Sequence, residues 1–167
     1  MNRRSFTHRL LAVGLLGTGG IFTGSRPAKA DSSMSELEAI APKIYELTVF
    51  RSPTCGCCEG WTAHIQAAGF AVDDRIIEDM DAIKQRYGVR AGLDSCHTAL
   101  VGGYVIEGHV PAEDVQRLLA EKPNVIGITA PGMPMGSPGM ETDEDTAPYT
   151  VFSFKADGTV NAFAQHG

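Results

Sequence analysis

The sequence predicts an α/β domain in which a mixed four-stranded sheet is flanked by helices. Short apolar runs rich in β-branched and aromatic residues alternate with segments of helical periodicity. Gly102-Gly103 separates two adjacent apolar runs, as the turn of a two-residue β-hairpin does. The segments therefore follow the order strand, helix, strand, helix, hairpin, helix.

The individual elements are marked by their apolar faces and by the residues at their ends. Trp61, Ile65 and Ala68 are spaced at i, i+4 and i+7 and form one apolar helix face, and Gly69 ends that helix. Pro111 lies in the first turn of the last helix. In chain order we expect a short helix over residues 36–45, a strand over 47–50, a helix from Cys57 or Cys58 to about residue 68, a strand over 71–77, a helix over 80–87, strands over 98–101 and 104–106, and a helix ending at residue 121. This is the element order of the thioredoxin fold, so we expect a thioredoxin-like domain.

Two further segments follow the last helix. Residues 131–140, here called the methionine loop, are rich in methionine, proline and glycine and cannot form a helix or a central strand. Residues 149–154 and 159–164 are apolar runs on either side of a turn. They predict a C-terminal hairpin added to the domain.

The first 30 residues have the features of a cleavable export signal. Arg3 and Arg4 begin it, residues 10–22 are apolar, and Ala28-Lys29-Ala30 fits the small-x-small cleavage rule. The arginine pair resembles a twin-arginine signal, with an ordinary secretory signal as the alternative. We therefore expect residues 31–167 to form a single thioredoxin-like domain in the bacterial periplasm, with no stable membrane insertion after cleavage.

Charge restricts the partners of this domain. The chain has 14 basic and 20 acidic residues, and the signal contains five basic and no acidic ones. The remaining domain therefore has 9 basic and 20 acidic residues, a net charge of −11. A domain so acidic is a poor binder of nucleic acid or anionic membranes and suits a cation or a cationic partner.

Four cysteines lie in the domain, and Cys55, Cys57 and Cys58 fall within four residues. Pairing among these three closes no loop long enough to stabilise the fold appreciably. Cys55 and Cys58 form a C-x-x-C pair at the start of a helix, where the helix dipole favours thiolate as a nucleophile or metal ligand. Cys57 would compete in disulfide exchange but would add a ligand to a metal site. The pattern favours metal, and disulfide exchange stays open.

Topology adds residues from elsewhere in the chain. In a thioredoxin-like sheet the third strand begins, and the fourth ends, at the edge that holds the cysteine turn. We therefore expect Cys96, His97 and His109 to lie near that turn. Cys96 is expected to be a fourth thiolate. His97 is either a ligand or a hydrogen-bonding residue, and His109 is either a ligand or part of the entry to the next helix. His64, farther along the first helix, is expected to be a surface histidine.

Ligand softness predicts the metal. Crowded thiolates suit copper(I), zinc or an iron–sulfur cluster, and ferredoxin-type cysteine spacing is absent. Zinc, the less favoured alternative, would take Cys55, Cys58, Cys96 and His97 as a tetrahedral set. Bridging thiolates concentrate negative charge, which predicts a copper(I) site with room for several ions. Met133 and Met135 offer soft thioether ligands from the methionine loop, and a packing role is the alternative for each.

Four separated motifs carry a resemblance to a known family. They are Thr54-Cys55-Gly56-Cys57-Cys58 with Gly60-Trp61, Ser95-Cys96-His97-Thr98, Glu107-Gly108-His109-Val110-Pro111, and Pro131-Gly132-Met133-Pro134 with Gly136-Ser137-Pro138-Gly139-Met140. Together they resemble the CopG-type copper-resistance family, a secreted family long described as a domain of unknown function, over about residues 45–155. The resemblance implies a thioredoxin-like fold, an envelope location and copper handling by the cysteines. His97 stands where thioredoxins have a cis-proline, which weakens the case for disulfide exchange.

Two functions follow as expectations. The first is a copper(I)-binding envelope protein that sequesters excess copper or transfers it to other envelope copper-handling proteins. The second is an oxidoreductase that acts on thiols through Cys55 and Cys58 or changes the oxidation state of copper. No Ser/His/Asp arrangement, phosphate-binding loop or paired-carboxylate signal competes with them.

Overall fold

The computed structural model describes residues 43–142 and 147–167, which contain one seven-stranded mixed sheet and three helices. In chain order the elements are β1 (Glu46–Arg51), α1 (Gly56–Ala67), β2 (Ala71–Ile76), α2 (Met80–Arg86), β3 (His97–Val101), β4 (Tyr104–Gly108), α3 (Ala112–Glu121), β5 (Gly127–Ala130), β6 (Tyr149–Phe154) and β7 (Val160–His166). The strand order in the sheet is β2-β1-β3-β4-β5-β6-β7. Strands β1 and β2 are parallel, as are β4 and β5, and the other pairs are antiparallel.

The predicted number of strands is wrong. We expected four strands and a separate hairpin, but β5 pairs with both β4 and β6 and so joins the hairpin to the same sheet. Strand β5 escaped prediction because its four residues are all buried and show no alternation of apolar and polar positions. It also directly precedes the methionine loop, whose proline and glycine content predicts irregular structure. The other predicted strands and helices within the described residues are present, with shifts of one or two residues at their ends.

Parts of the predicted organisation lie outside the described residues. The predicted export signal over residues 1–30 is one of them, as are residues 36–42 of the predicted first helix; residues 43–45 are described and are not helical. No helix in the described part of the chain has the length and apolar character needed to cross a membrane.

The main core lies between the sheet and helices α1 and α3. Trp61 of α1 is completely buried, and its indole N–H donates to the Val110 carbonyl at 2.8 Å. Ile65 of α1 and Leu118 of α3 are buried in the same apolar cluster. The Trp61 hydrogen bond satisfies the one polar atom of the indole, as a buried tryptophan requires. It also ties α1 to the segment that follows β4.

Four strand ends meet at one edge of the sheet. Arg51 at the end of β1 pairs with His97 at the start of β3, and Gly108 at the end of β4 pairs with Ala130 at the end of β5. The segment after β1 leads directly into α1, so the cysteine turn lies at this edge as well. The convergence that the element order predicted is therefore observed.

The methionine loop packs directly on the backbone of α1. A Cβ atom on Gly139 would lie 2.5 Å from the backbone nitrogen of Trp61 and 2.7 Å from the carbonyl oxygen of Cys57. A Cβ atom on Gly60 would lie 2.9 Å from the Gly139 Cα. Gly139 also has a φ of +84°, which disfavours other residues. The two glycines thus allow the loop to lie against the first turns of the helix that carries the cysteines.

We predict that Gly127→Ala destabilises the protein, because β5 approaches β4 too closely for a side chain. A Cβ at this position would lie 2.9 Å from the Val105 Cα and nearer still to its carbonyl. We expect a loss of about 1–3 kcal/mol in the free energy of unfolding, measured by urea denaturation. Gly56→Ala is the matched control, since nothing lies within 4 Å of its added methyl group. Equal stability of the two variants would contradict the close β4–β5 contact.

Candidate metal centre

The cysteine turn connects β1 to α1. Cys55 is the N-cap of α1 without a side-chain capping bond, and Cys57 and Cys58 lie in the first turn of the helix. Cys55 and Cys58 form a disulfide in the structure, whereas Cys57 and Cys96 are free thiols. This is the pair that the oxidoreductase alternative requires, with the two other cysteines beside it.

The four cysteines form a compact group, here called the thiol cluster. Cys57 Sγ lies 3.6 Å from Cys55 Sγ and 3.8 Å from Cys96 Sγ, and Cys58 Sγ lies 3.6 Å from Cys96 Sγ. All four sulfur atoms are within 4.8 Å of one another. The structure therefore brings together the cysteines that the sequence analysis selected, although Cys96 is 38 residues from Cys58 along the chain.

Cys96 also belongs to a second donor group, here called the imidazole group. Its sulfur lies 3.0 Å from His109 Nε2 and 3.3 Å from His97 Nδ1, and these atoms satisfy the same 4.8 Å limit. Cys96 precedes β3 and His97 is its first residue, so the alternation of side chains along a strand does not separate them. Both histidines are completely buried, and the Trp61 and His97 ring centroids are 4.3 Å apart.

The methionine loop sets the tautomer of His109. Its Nδ1–H donates to the Pro138 carbonyl at 2.8 Å, so the lone pair of Nε2 faces the Cys96 sulfur. A carbonyl that holds the far nitrogen of a histidine in this way is the usual outer-sphere support of a metal-binding imidazole. The Nε2 lone pair of His109 is therefore directed at the Cys96 sulfur, where the ligand alternative requires it.

Burial determines the protonation of the imidazole group. It lowers the pKa of His97 well below the ordinary value, with the neighbouring His109 as the next cause, and it lowers the pKa of His109 as well. Burial, together with the nearby Cys57, raises the pKa of Cys96 to about 12. At neutral pH both imidazoles are neutral and Cys96 is a protonated thiol. A metal that binds Cys96 must therefore displace a proton.

A groove of about 600 Å³ opens beside the thiol cluster. Cys55, Cys57, Cys96 and Met133 line it, and acidic residues form another part of its wall: Glu78, Asp79, Asp81 and Asp94. Met133 is about half exposed at this groove, as a flexible ligand near the mouth of a site would be. Met135 is similarly exposed but does not line the groove. One of the two predicted methionines therefore lines the same groove as Cys55, Cys57 and Cys96.

His64 has a different role from the one predicted. We expected a surface histidine, but it is only partly exposed and its Nε2 accepts the backbone N–H of Ala112 at 3.0 Å. Ala112 is the first residue of α3, where a backbone N–H lacks a partner within the helix. His64 therefore caps α3 from α1, which periodicity along one helix could not reveal.

Sequence reasoning also missed a buried charge beside the site. Glu107 is completely buried and forms an ion pair with Lys84 of α2. Burial raises the pKa of Glu107, and Lys84 opposes that shift. The sequence signal for this buried charge is the single acidic residue in the otherwise uncharged strand Tyr104–Gly108. Glu107 is also the first residue of the motif Glu107-Gly108-His109-Val110-Pro111.

The lowered histidine pKa values predict that the metal-free protein loses stability in mild acid. Below a pH of about 6.5 the unfolded chain protonates both histidines whereas the folded protein does not, so unfolding becomes more favourable as the pH falls. Each histidine contributes up to about 1.4 kcal/mol per pH unit. We expect His97→Gln to reduce the slope of unfolding free energy between about pH 6.5 and pH 5, measured by urea denaturation. An unchanged slope would show that His97 is accessible to protons.

The region that contains this site is similar to known proteins. The family described as "Protein of unknown function, DUF411" matches residues 93–140, which contain Cys96, both buried histidines and the methionine loop. No curated protein matches the chain significantly. Two solved structures, described as copper resistance protein CopG in Form 2 and Form 1, superpose with TM-scores of 0.72 and 0.70. Their sequence identities are 39% and 40%, and the matches cover 75% and 74% of this chain and 100% and 98% of theirs. The chain therefore belongs to the CopG-type copper-resistance family.

Proposed function

We propose that this protein binds copper(I) and sequesters or transfers excess copper in the bacterial envelope. The observation that carries the proposal is the thiol cluster, in which four sulfur atoms lie within 4.8 Å of one another. Thiolates are soft ligands that select copper(I), zinc or iron–sulfur clusters. The description of the two similar structures as a copper resistance protein favours copper among these metals.

The number of donors supports more than one copper ion. The thiol cluster and the imidazole group together supply four sulfur and two nitrogen atoms, and they share Cys96. A single tetrahedral zinc would use four of these six donors and leave buried ones without a partner. Several copper(I) ions bridged by thiolates would use all of them and balance the negative charge of the sulfur atoms. Zinc is therefore the less favoured cofactor.

We also propose that the domain has a thioredoxin-like core and is exported to the periplasm. The strand order β2-β1-β3-β4 with β3 antiparallel supports a thioredoxin-like core extended by β5, β6 and β7. The arginine pair and cleavage pattern in residues 1–30 support export to the periplasm. Other envelope copper-handling proteins are then the partners that would deliver or accept the metal.

A second function is favoured by the disulfide. Cys55 and Cys58 are oxidised in the structure while two free thiols lie beside them. Reduction of this disulfide to two thiols takes two electrons and two protons. A thiol substrate pair would supply both and become a disulfide, or two copper(I) ions would supply the electrons and become copper(II) while water supplied the two protons. An oxidoreductase acting on thiols or on copper is therefore the alternative to a copper-binding protein.

Replacing Cys57 distinguishes the two functions. Under anaerobic reducing conditions, we expect the wild-type protein to bind more than one copper(I) per chain and Cys57→Ser to bind fewer, with affinity lower by at least about tenfold. Elemental analysis and titration against a copper(I) chelator measure both quantities. A dithiol oxidoreductase would instead keep its disulfide-reducing turnover in this variant, because Cys55 and Cys58 remain. Saturation of the wild-type protein by one zinc, with no preference for copper, would contradict the proposal.

The two methionines provide a matched test of the groove. Met133 lines it beside the thiol cluster and Met135 does not, although their exposures are nearly equal at 53% and 48%. We expect Met133→Leu to lower the copper(I) affinity by about tenfold and Met135→Leu to leave it nearly unchanged. Competition with a copper(I) chelator measures each affinity. Equal losses of copper(I) affinity in the two variants would mean that a position in the groove does not decide which methionine binds copper.

A further inference from the structure

Glu107 is a buried acidic side chain near the end of β4. It is completely buried, and Val105 and Ile106, which precede it in β4, are buried apolar residues. Carboxylates are almost never buried in this way unless they are paired, and replacing a buried ion pair by apolar residues is often neutral or stabilising. Stability alone therefore does not explain the presence of Glu107.

The hydrogen bonds of Glu107 converge on the segment that contains Cys96. Its Oε1 accepts the backbone N–H of Ser95 at 2.7 Å and pairs with the Lys84 ammonium. Its Oε2 accepts the Thr98 hydroxyl at 2.6 Å, and Lys84 Nζ also lies 3.3 Å from that hydroxyl oxygen. One carboxylate thus holds both ends of residues 95–98 and connects them to α2.

The two residues after Glu107 act on the same segment. Gly108 has a φ of +72°, and a Cβ there would collide with the Ser95 side chain and lie 2.8 Å from the Ala130 carbonyl oxygen. His109 then brings its Nε2 to 3.0 Å from the Cys96 sulfur. The end of β4 therefore contacts residues 95 and 96 through three successive residues, of which Glu107 makes the backbone contact.

Glu107 does not reach the metal donors themselves. The ligand atoms of the thiol cluster and the imidazole group lie within 4.8 Å of one another, and the Glu107 carboxylate belongs to neither group. Its contacts with the segment that carries these donors are the Ser95 N–H next to Cys96 and the Thr98 hydroxyl next to His97. Ser95 also donates its hydroxyl to the Gly132 carbonyl, so the same residue connects to the methionine loop.

We propose that Glu107 is a positioning residue that fixes the Cys96 sulfur between the thiol cluster and the imidazole group by holding the Ser95 backbone. The proposal rests on the proposed copper function where it concerns metal affinity. Outer-sphere residues that orient a ligand typically contribute about 10- to 100-fold to metal affinity, and we expect an effect in that range.

Two double variants separate positioning from stability. Lys84→Met/Glu107→Val removes both charges and leaves no buried ion without a partner, so its cost in stability is limited to the lost acceptor of the Ser95 N–H and the Thr98 hydroxyl. Lys84→Met/Glu107→Gln removes the same charges but keeps an amide oxygen that can accept the Ser95 N–H. We expect copper(I) affinity to be lower by about 10- to 100-fold in the valine variant and largely restored in the glutamine variant.

Cys96→Ser completes the thermodynamic cycle. If Glu107 acts through Cys96, the difference between the valine and glutamine variants disappears when each also contains Cys96→Ser. Equal copper affinities of the two variants would overturn the proposal. A difference that persists without Cys96 would overturn it too, because it would indicate a general effect on the site.

A metal-free measurement separates this proposal from the copper function. In a Cys57→Ser background with the Cys55–Cys58 disulfide intact, Cys96 is the one free thiol of the four cysteines in the sequence. We expect iodoacetamide to alkylate it faster in the valine variant than in the glutamine variant, as measured by mass spectrometry. Equal rates would overturn the positioning role. Failure of the wild-type protein to bind copper would instead overturn the proposed function and leave the alkylation result to decide the role of Glu107.

Discussion

Strand β3 runs antiparallel between β1 and β4, and the whole candidate centre depends on that pairing. Arg51 at the end of β1 lies opposite His97, which places the cysteine turn next to the segment that begins β3. The pairing of β3 with β4 brings His109 to the same place from the other side. Candidate ligands that are distant in the sequence thus become neighbours through the backbone hydrogen bonds of the sheet.

The parts of this arrangement that could be predicted are those with a local signal or a topological rule. Cys55, Cys57 and Cys58 stand out by spacing, and Cys96 and His109 follow from the strand order once the fold class is recognised. Other features depend on contacts between segments that carry no periodic pattern. The capping of α3 by His64, the support of His109 by a carbonyl of the methionine loop, and the insertion of β5 are of this kind.

The centre combines donors in unequal chemical states. The imidazoles of His97 and His109 are neutral and ready to bind, because burial disfavours their protonated forms. Cys96 holds its proton for the same reason, and Cys55 and Cys58 hold each other in a disulfide. Burial therefore keeps the two imidazoles unprotonated and, at the same time, keeps the Cys96 thiol protonated. Use of all four sulfur atoms as thiolates would require reduction of the Cys55–Cys58 disulfide and loss of the thiol protons, so reduction and deprotonation separate this structure from that state.

Cys96 is the residue that the thiol cluster and the imidazole group share. A bridging ligand makes the two groups thermodynamically linked, since an ion in one group changes the charge and position of the sulfur available to the other. Linkage is reciprocal, so the factor by which the first ion alters binding of the second is the same in either order of loading. Replacing Cys96 would therefore remove this linkage together with a donor from each group.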